Sequence, residues 1–345
     1  MRLELARRTL RLAEPFAASY GEVSERELML VALEAEDGLR GHGEAAPLPA
    51  YGGADAARVW RALQSYQPVV AAASEDDPTA GVKVLEACRA ADDVPEAIAA
   101  IDMALWDRAG RRSGKPVAAL ISDAPAARVP VNATLTATDR AGAAAQAGEA
   151  AAAGFGCLKV KVGLGDDAGR VAAVRAAAGP DALLRLDANG AWDVEQAVSS
   201  IEALSSAGLE LVEEPVHGLQ AVRQVRERVA VRVSIDETAG EPGALAGAAA
   251  DAVCLKVSRC GGIGPLLAAA ALVRASGAEV YLASTLDGPL GVAAALHAAA
   301  ALASRGPLPH CGLATLGLFE DLEDPLPPRR GAIELPVGAG LGVEP

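Results

Sequence analysis

Charge recurs at the ends of apolar, strand-like runs in this chain. Lys159-Val160-Lys161, Leu186-Asp187-Ala188-Asn189, Val212-Glu213-Glu214-Pro215, Ser234-Ile235-Asp236-Glu237 and Cys254-Leu255-Lys256 follow one another, with helical stretches between most of them. A charge at the end of a buried strand is costly unless it is paired or used. Five such ends in succession point to one metal site flanked by lysines.

The rhythm of the chain says how those ends meet. Residues 2–12 and 27–36 read as strands of a hairpin or small sheet. Asp37-Gly38 marks a turn, and Gly41-His42-Gly43-Glu44 opens a loop rich in Pro and Gly. Residues 54–111 have apolar side chains at helical spacing. The Ala/Pro-rich stretch at 122–128 marks a boundary, which leaves a small α+β domain over residues 1–125. Apolar strands are then expected at 131–136, 157–162, 183–187, 210–213, 231–236, 252–256 and 280–284, with an eighth near Pro309-His310-Cys311. Near-continuous apolar strands alternating with helices indicate a parallel sheet covered by helices. Charge after nearly every strand favours a (β/α) barrel over 126–319, whose strand ends share one mouth, above a doubly wound sheet. Residues 320–345, rich in Pro and Gly, are expected to return over the first domain.

Asp187, Glu213 and Asp236 end three successive strands, 26 and 23 residues apart. Adjacent strands lie roughly 4.8 Å apart, so three carboxylates there repel unless a cation joins them. Oxygen ligands suit a hard ion, Mg²⁺ first and Mn²⁺ as the alternative. Zinc fits poorly, because the four histidines are scattered and no CxxC or HxxxH spacing exists. Lys159 and Lys161 alternate with Val160 and so share one face. Two ammonium groups that close are expected to depress each other's pKa, leaving one usable as a base. Lys256 lies across the barrel. Singly, each acid is more readily a helix cap or a surface partner for lysine; the ordered set is what favours the metal. Proton abstraction beside a metal-bound carboxylate is the chemistry these parts suit, since the ion stabilises an enediolate and a lysine removes the proton. Lysine with Mg²⁺ resembles the known pattern of the enolase superfamily.

The ordered motifs resemble that superfamily and its muconate-lactonizing subgroup. They are the KxK strand, the Asp-x-Asn, Glu-Glu-Pro and Asp-Glu ends, and Leu255-Lys256-Val257-Ser258-Arg259-Cys260-Gly261-Gly262. Gly43-Glu44-Ala45-Ala46-Pro47 and Ala104-Leu105-Trp106-Asp107 extend the resemblance to the first domain. It implies an α/β fold, a (β/α)7β TIM-like barrel with an N-terminal α+β capping domain. It further implies metal ligands at Asp187, Glu213 and Asp236, acid/base lysines at Lys161 and Lys256, and a supporting Lys159. Asn189 and Glu237 would lie behind these, Glu237 near Lys256. A homo-oligomer is also expected.

For the particular reaction, Val129-Pro130-Val131-Asn132-Ala133-Thr134, Ala283-Ser284-Thr285-Leu286-Asp287 and the 308–319 segment resemble o-succinylbenzoate synthases, which dehydrate a cyclohexadiene carboxylate. Dipeptide or N-acylamino acid epimerases and racemases are the rival, through the segment from Phe16 to Tyr20 and the glycine-rich tail. Epimerases of the Ala-Glu type carry an Asp-x-Asp after the eighth strand where this chain has Gly312-Leu313-Ala314. Muconate-type cycloisomerisation ranks third, and an inactive carboxylate-binding barrel is the non-enzyme alternative. Phe16, Tyr20, Tyr51, Ser284, Asp287 and Gly312 are the candidate substrate-binding residues, with Tyr20 and Tyr51 in loops placed to close the mouth.

The net charge of −14 argues against nucleic-acid or anionic-membrane partners, which need basic patches. The first eight residues lack the apolar run of a signal peptide. Five cysteines without CxxC spacing read as reduced thiols, which places the chain in the cytoplasm with a small carboxylate as its partner.

Overall fold

A computed structural model describes all residues except Tyr20, 74–79 and 247–248. The chain opens with an antiparallel sheet of β1 (Arg2–Ala18), β2 (Gly21–Glu34) and β3 (Arg40–Ala45). Helices α1 (Ala56–Ala71), α2 (Ala80–Ala91) and α3 (Pro95–Ser113) follow, then the short α4 (Val117–Ile121). Leu3, Met29, Val31 and Leu33 of the sheet meet Tyr66, Ile98 and Ile101 of the helices in a core of their own.

Strand β3 corrects the loop expected from Gly41 onward. These glycines are not turn residues. A Cβ at Gly41 would overlap the Ala104 carbonyl, and one at Gly43 the Ala100 carbonyl, so their bareness lets β3 lie directly against α3. A glycine-dense strand and a loop look alike in sequence because close packing of a neighbour leaves no local pattern.

β4 (Arg128–Pro130) turns aside to pair with β12 (Ala332–Glu334). The barrel sheet then runs in order through β5 (Ala133–Leu135), β6 (Cys157–Lys161), β7 (Leu183–Asp187), β8 (Leu209–Glu213), β9 (Arg232–Ile235), β10 (Ala252–Leu255) and β11 (Glu279–Leu282), all parallel. Between them lie α5 (Arg140–Ala152), α6 (Asp167–Ala178), α7 (Val194–Leu204), α8 (Leu219–Arg226), α9 (Val257–Cys260) and α10 (Ile263–Ala275), and α11 (Pro289–Ala303) follows. Between β9 and β10 the described residues hold only a 3₁₀ turn, Glu237–Gly240. Cys311 and Gly312 close the circle. The Gly312 N–H donates to the Leu282 carbonyl at 2.8 Å, and the Cys311 N–H to the Pro130 carbonyl at 2.8 Å. The eighth strand is thus reduced to two bridges. Among the described residues no helix is long and apolar enough to cross a membrane.

The N-terminal sheet is tied to the barrel by buried polar groups. The Arg26 guanidinium donates to the carbonyls of Ala46, Pro47 and Leu286. Glu44 Oε1 accepts from the Gly288 N–H at 2.6 Å, while its Oε2 is buried without a hydrogen-bond partner among the described residues. Asp287, expected to meet substrate, does not line the cavity at the barrel mouth. It turns back to accept from the Thr285 hydroxyl at 2.5 Å and the Thr285 N–H at 3.2 Å. A linear motif does not show which way a loop acid turns, and here it caps its own loop beside Glu44. The C-terminal segment returns to the first helices through Asp107, whose carboxylate accepts from the N–H groups of Leu341 and His42 and from Arg111.

Gly43→Ala should cost about 2 kcal/mol or more in denaturant unfolding, because α3 must shift. Gly148→Ala, in open space within α5, should stabilise by up to about 1 kcal/mol. Burial, followed by repulsion from Asp287, pushes the Glu44 carboxyl up to about 8. Its folded pKa lies above its unfolded one, so Glu44 is harmless below the unfolded carboxylate range. Its ionisation then erodes stability as pH rises towards about 8. Glu44→Gln should therefore gain stability over wild type at pH 8 and not at pH 4, read from melting curves at both.

Candidate active site

The register of the sheet brings the predicted charges together. Lys161 pairs with Asp187, and Asp187 with Glu213, at one level of the barrel. Glu213 pairs with Ser234, so Asp236 stands two residues farther along the same face. Asp187, Glu213 and Asp236 are all buried, as are Lys161 and Lys256. Lys161 and Lys256 follow from β6 and β10, four strands apart in a ring of eight, hence opposite one another.

Each carboxylate holds an ammonium. Lys159 Nζ bridges Asp187 Oδ2 and Glu213 Oε1, both at 2.8 Å. Lys161 Nζ lies 2.7 Å from Asp187 Oδ2 and donates to Asn189 Oδ1 at 2.5 Å. Lys256 donates to Asp236 and to the Tyr51 hydroxyl, which itself donates to Asp236. Burial lowers the pKa of Lys161, helped by repulsion from Lys159 and opposed by Asp187. Lys159 departs from the expected mutual depression. Burial works against its charge, yet Asp187 and Glu213 outweigh it and raise the pKa. Lys256 is raised likewise, by Asp236 first among its partners. Asp187 is held below the usual carboxylate range by both lysines, in spite of burial.

Further side chains position these groups. Asn189 Nδ2 donates to Glu237 Oε1 at 3.0 Å, so Glu237 reaches Lys161 through Asn189, and its charge also acts on Lys256. Burial and the nearby Asp236 and Asp187 push Glu237 up to about 8. Three contributors were not singled out from the sequence. Glu214 is fully buried and accepts from the backbone N–H groups of Asp236 and Thr238, which fixes the end of β9. Tyr281 donates to Glu213 Oε2 at 2.8 Å, and Arg185 lies 4.9 Å from the Tyr281 ring while paired with Glu210. Asn189 and Glu214 have φ of 43° and 41°, a backbone region few such residues adopt. The signal for Glu214 was present in the doubled acid: Glu213 ends β8 at the mouth, and at Glu214 the chain leaves the strand through its positive φ, so the second carboxylate serves the frame.

The mouth holds a cavity of about 60 Å³. Phe16, Tyr51, Ser284 and Gly312 line it, and Tyr20 lies outside the described residues. Lys161 Nζ sits 5.3 Å from the Phe16 ring centre. Tyr51, on a 3₁₀ turn of Pro49–Tyr51, is the N-terminal domain's direct reach to Asp236. Away from the lysines the wall consists of Thr134, Ala283, Ser284, Leu286 and Thr315 among others, with Ser284 and Thr315 hydroxyls 2.8 Å apart and no acid present. As a donor set, three buried carboxylates that each already hold a cation suit a hard divalent ion. One oxygen each from Glu213 and Asp236 and the Cys254 sulfur also lie within 4.8 Å of one another. Asp187 is the better third ligand for such an ion, since burial pushes the Cys254 thiol well above its ordinary pKa and sulfur is soft.

Comparison with known proteins agrees with this arrangement. Residues 2–122 match the mandelate racemase / muconate lactonizing enzyme N-terminal domain, and residues 142–345 match the enolase C-terminal domain-like family. An o-succinylbenzoate synthase of Mycobacterium tuberculosis is 43% identical over 218 residues, 59% of this chain and 63% of that protein, so the match spans less than two thirds of its length. A hydrophobic dipeptide epimerase of Enterococcus faecalis is 30% identical over 85% of this chain and 84% of its own length. Among solved structures, the Enterococcus faecalis V583 dipeptide epimerase with Mg and L-Leu-L-Tyr matches with a TM-score of 0.89 at 28% identity, covering 100% of this chain and 99% of that one. The L-Ala-D/L-Glu epimerase of Bacillus subtilis gives 0.90 at 26%, covering 99% and 98%. The chain belongs to the enolase superfamily, in its mandelate racemase / muconate lactonizing enzyme family.

Proposed function

We propose that this enzyme removes the proton α to a substrate carboxylate and uses it for an o-succinylbenzoate synthase-type dehydration. The observation that carries the reading is the cavity wall across from the three carboxylates, which among the described residues offers hydroxyls and apolar surface but no acid. A dipeptide would bring an ammonium group to that wall with nothing to receive it, and burying it unpaired is costly. A cyclohexadiene carboxylate brings none.

Asp187, Glu213 and Asp236 would hold Mg²⁺, with Lys159, Asn189 and Tyr281 keeping them oriented. When bound, the ion supplies positive charge to a developing enediolate. Lys161, the lysine whose pKa burial lowers, takes the α-proton. The C–O bond on the neighbouring carbon then breaks, and the leaving hydroxyl takes a proton from the Lys161 ammonium and departs as water. Lys256, held charged by Asp236, faces the forming aromatic ring as a fixed cation. Phe16 and Tyr51 cover the site and limit water.

A second reading has its own support. Lysines on opposite sides of the mouth suit a two-base 1,1-proton transfer, and the epimerase match runs along most of both chains. The two are separated by offering the synthase substrate, N-succinylamino acids and dipeptides in D₂O with Mg²⁺. Loss of water with a new aromatic absorbance supports the dehydration. Deuterium entering a stereocentre of an amino-acid substrate, without that absorbance, overturns it in favour of epimerisation. Lys161→Ala should lower kcat by about 10³-fold while metal binding persists. Tyr281→Phe should weaken Mg²⁺ about 10- to 100-fold, measured by calorimetry, with the melting temperature nearly unchanged.

A further inference from the structure

Three thiols lie buried in the barrel, and their surroundings differ. Cys157 Sγ donates to Glu210 Oε2 at 3.7 Å, and Cys311 Sγ to the Pro309 carbonyl at 3.6 Å. Among the described residues Cys254 has no hydrogen-bond partner, although it is 2% exposed. The pairing of Ala252 with Ser234 and Val253 with Ile235 sets Cys254 beside Asp236. Its sulfur and one oxygen each from Glu213 and Asp236 lie within 4.8 Å of one another. Asp187 is not part of that group; its Oδ2 is held by Lys159 and Lys161, while Glu213 Oε1 is shared with Lys159 and Asp236 with Lys256, ammonium contacts that a bound ion would replace.

We propose that the chain has a second mode of metal binding, in which a soft divalent cation, Cd²⁺ or Zn²⁺, is held by Glu213, Asp236 and the Cys254 sulfur while Asp187 stays on its lysines. The mode rests on the proposed Mg²⁺ site only in sharing Glu213 and Asp236. Two carboxylates and a thiolate complete three corners of a tetrahedron and leave the fourth for water. Bonds of about 2.0–2.3 Å bring such ligand atoms to roughly 3.5 Å apart, a closure within reach of side-chain rotation. The thiol proton leaves to solvent as the sulfur binds, and no electron is transferred. Mg²⁺ gains nothing from sulfur, whereas Cd²⁺ and Zn²⁺ do, so the thiol discriminates between ions at one pair of carboxylates. Occupation of those carboxylates makes the soft ion an inhibitor competitive with Mg²⁺.

The test uses the full chain, stripped of metal and titrated with Cd²⁺ while the ultraviolet thiolate-to-cadmium charge-transfer band is followed. One equivalent of Cd²⁺ should raise the band in wild type and in Cys157→Ser, and excess Mg²⁺ should suppress it. In Cys254→Ser the band should fall at least tenfold. Cadmium-113 NMR of the wild type, which needs no variant, should show a resonance in the sulfur-ligated range. A wild type without the band, a resonance in the all-oxygen range, or an undiminished band in Cys254→Ser overturns the proposal. A Cys254-dependent band that Mg²⁺ never displaces would uphold thiol ligation, overturn the competition, and place the fault in the Mg²⁺ assignment instead.

Discussion

The Lys159 ammonium, shared between Asp187 and Glu213, is the contact on which the mouth of the barrel depends. It joins β6 to β7 and β8 at the level where three strands bring charge out of an apolar interior. Removing one member of such a buried pair leaves an uncompensated charge, a loss of about 3–5 kcal/mol, so the lysines and acids stabilise the barrel only as a set. The same arrangement leaves Lys161 with a weaker hold on its proton than Lys159. Chemistry and stability thus draw on one set of charges.

The N-terminal domain completes this cluster. Tyr51 reaches Asp236 and Lys256 directly, Phe16 covers Lys161, and the Ser19 hydroxyl donates to the Asn189 carbonyl at 2.7 Å. Arg26 and Glu44 meanwhile grip the loop after β11, from which Ser284 and Leu286 line the cavity. The shape of the substrate wall therefore depends on how the first domain sits on the barrel, and the proton-transfer end depends on the strands.

What was legible in the sequence was what repeats. Apolar runs ending in charge revealed the strands, and their order revealed which acids and lysines meet. Strand β3 was hidden because Gly41 and Gly43 answer to a helix far along the chain. Tyr281 and Arg185 were hidden because an aromatic or an arginine inside a strand gives no sign of the carboxylate it will meet. The titration of Lys159 could not be read from the KxK spacing, since Asp187 and Glu213 override the effect of its burial. Asp287 shared a motif with a cavity residue, Ser284, and yet its carboxylate folds back on Thr285.

The most direct measurement is a crystal structure grown with Mn²⁺, located by its anomalous scattering, and a substrate carboxylate. The account predicts one ion among Asp187, Glu213 and Asp236, with Lys161 and Lys256 freed onto opposite faces of the substrate. An ion bound elsewhere, or lysines still paired with those acids beneath a bound substrate, would contradict it.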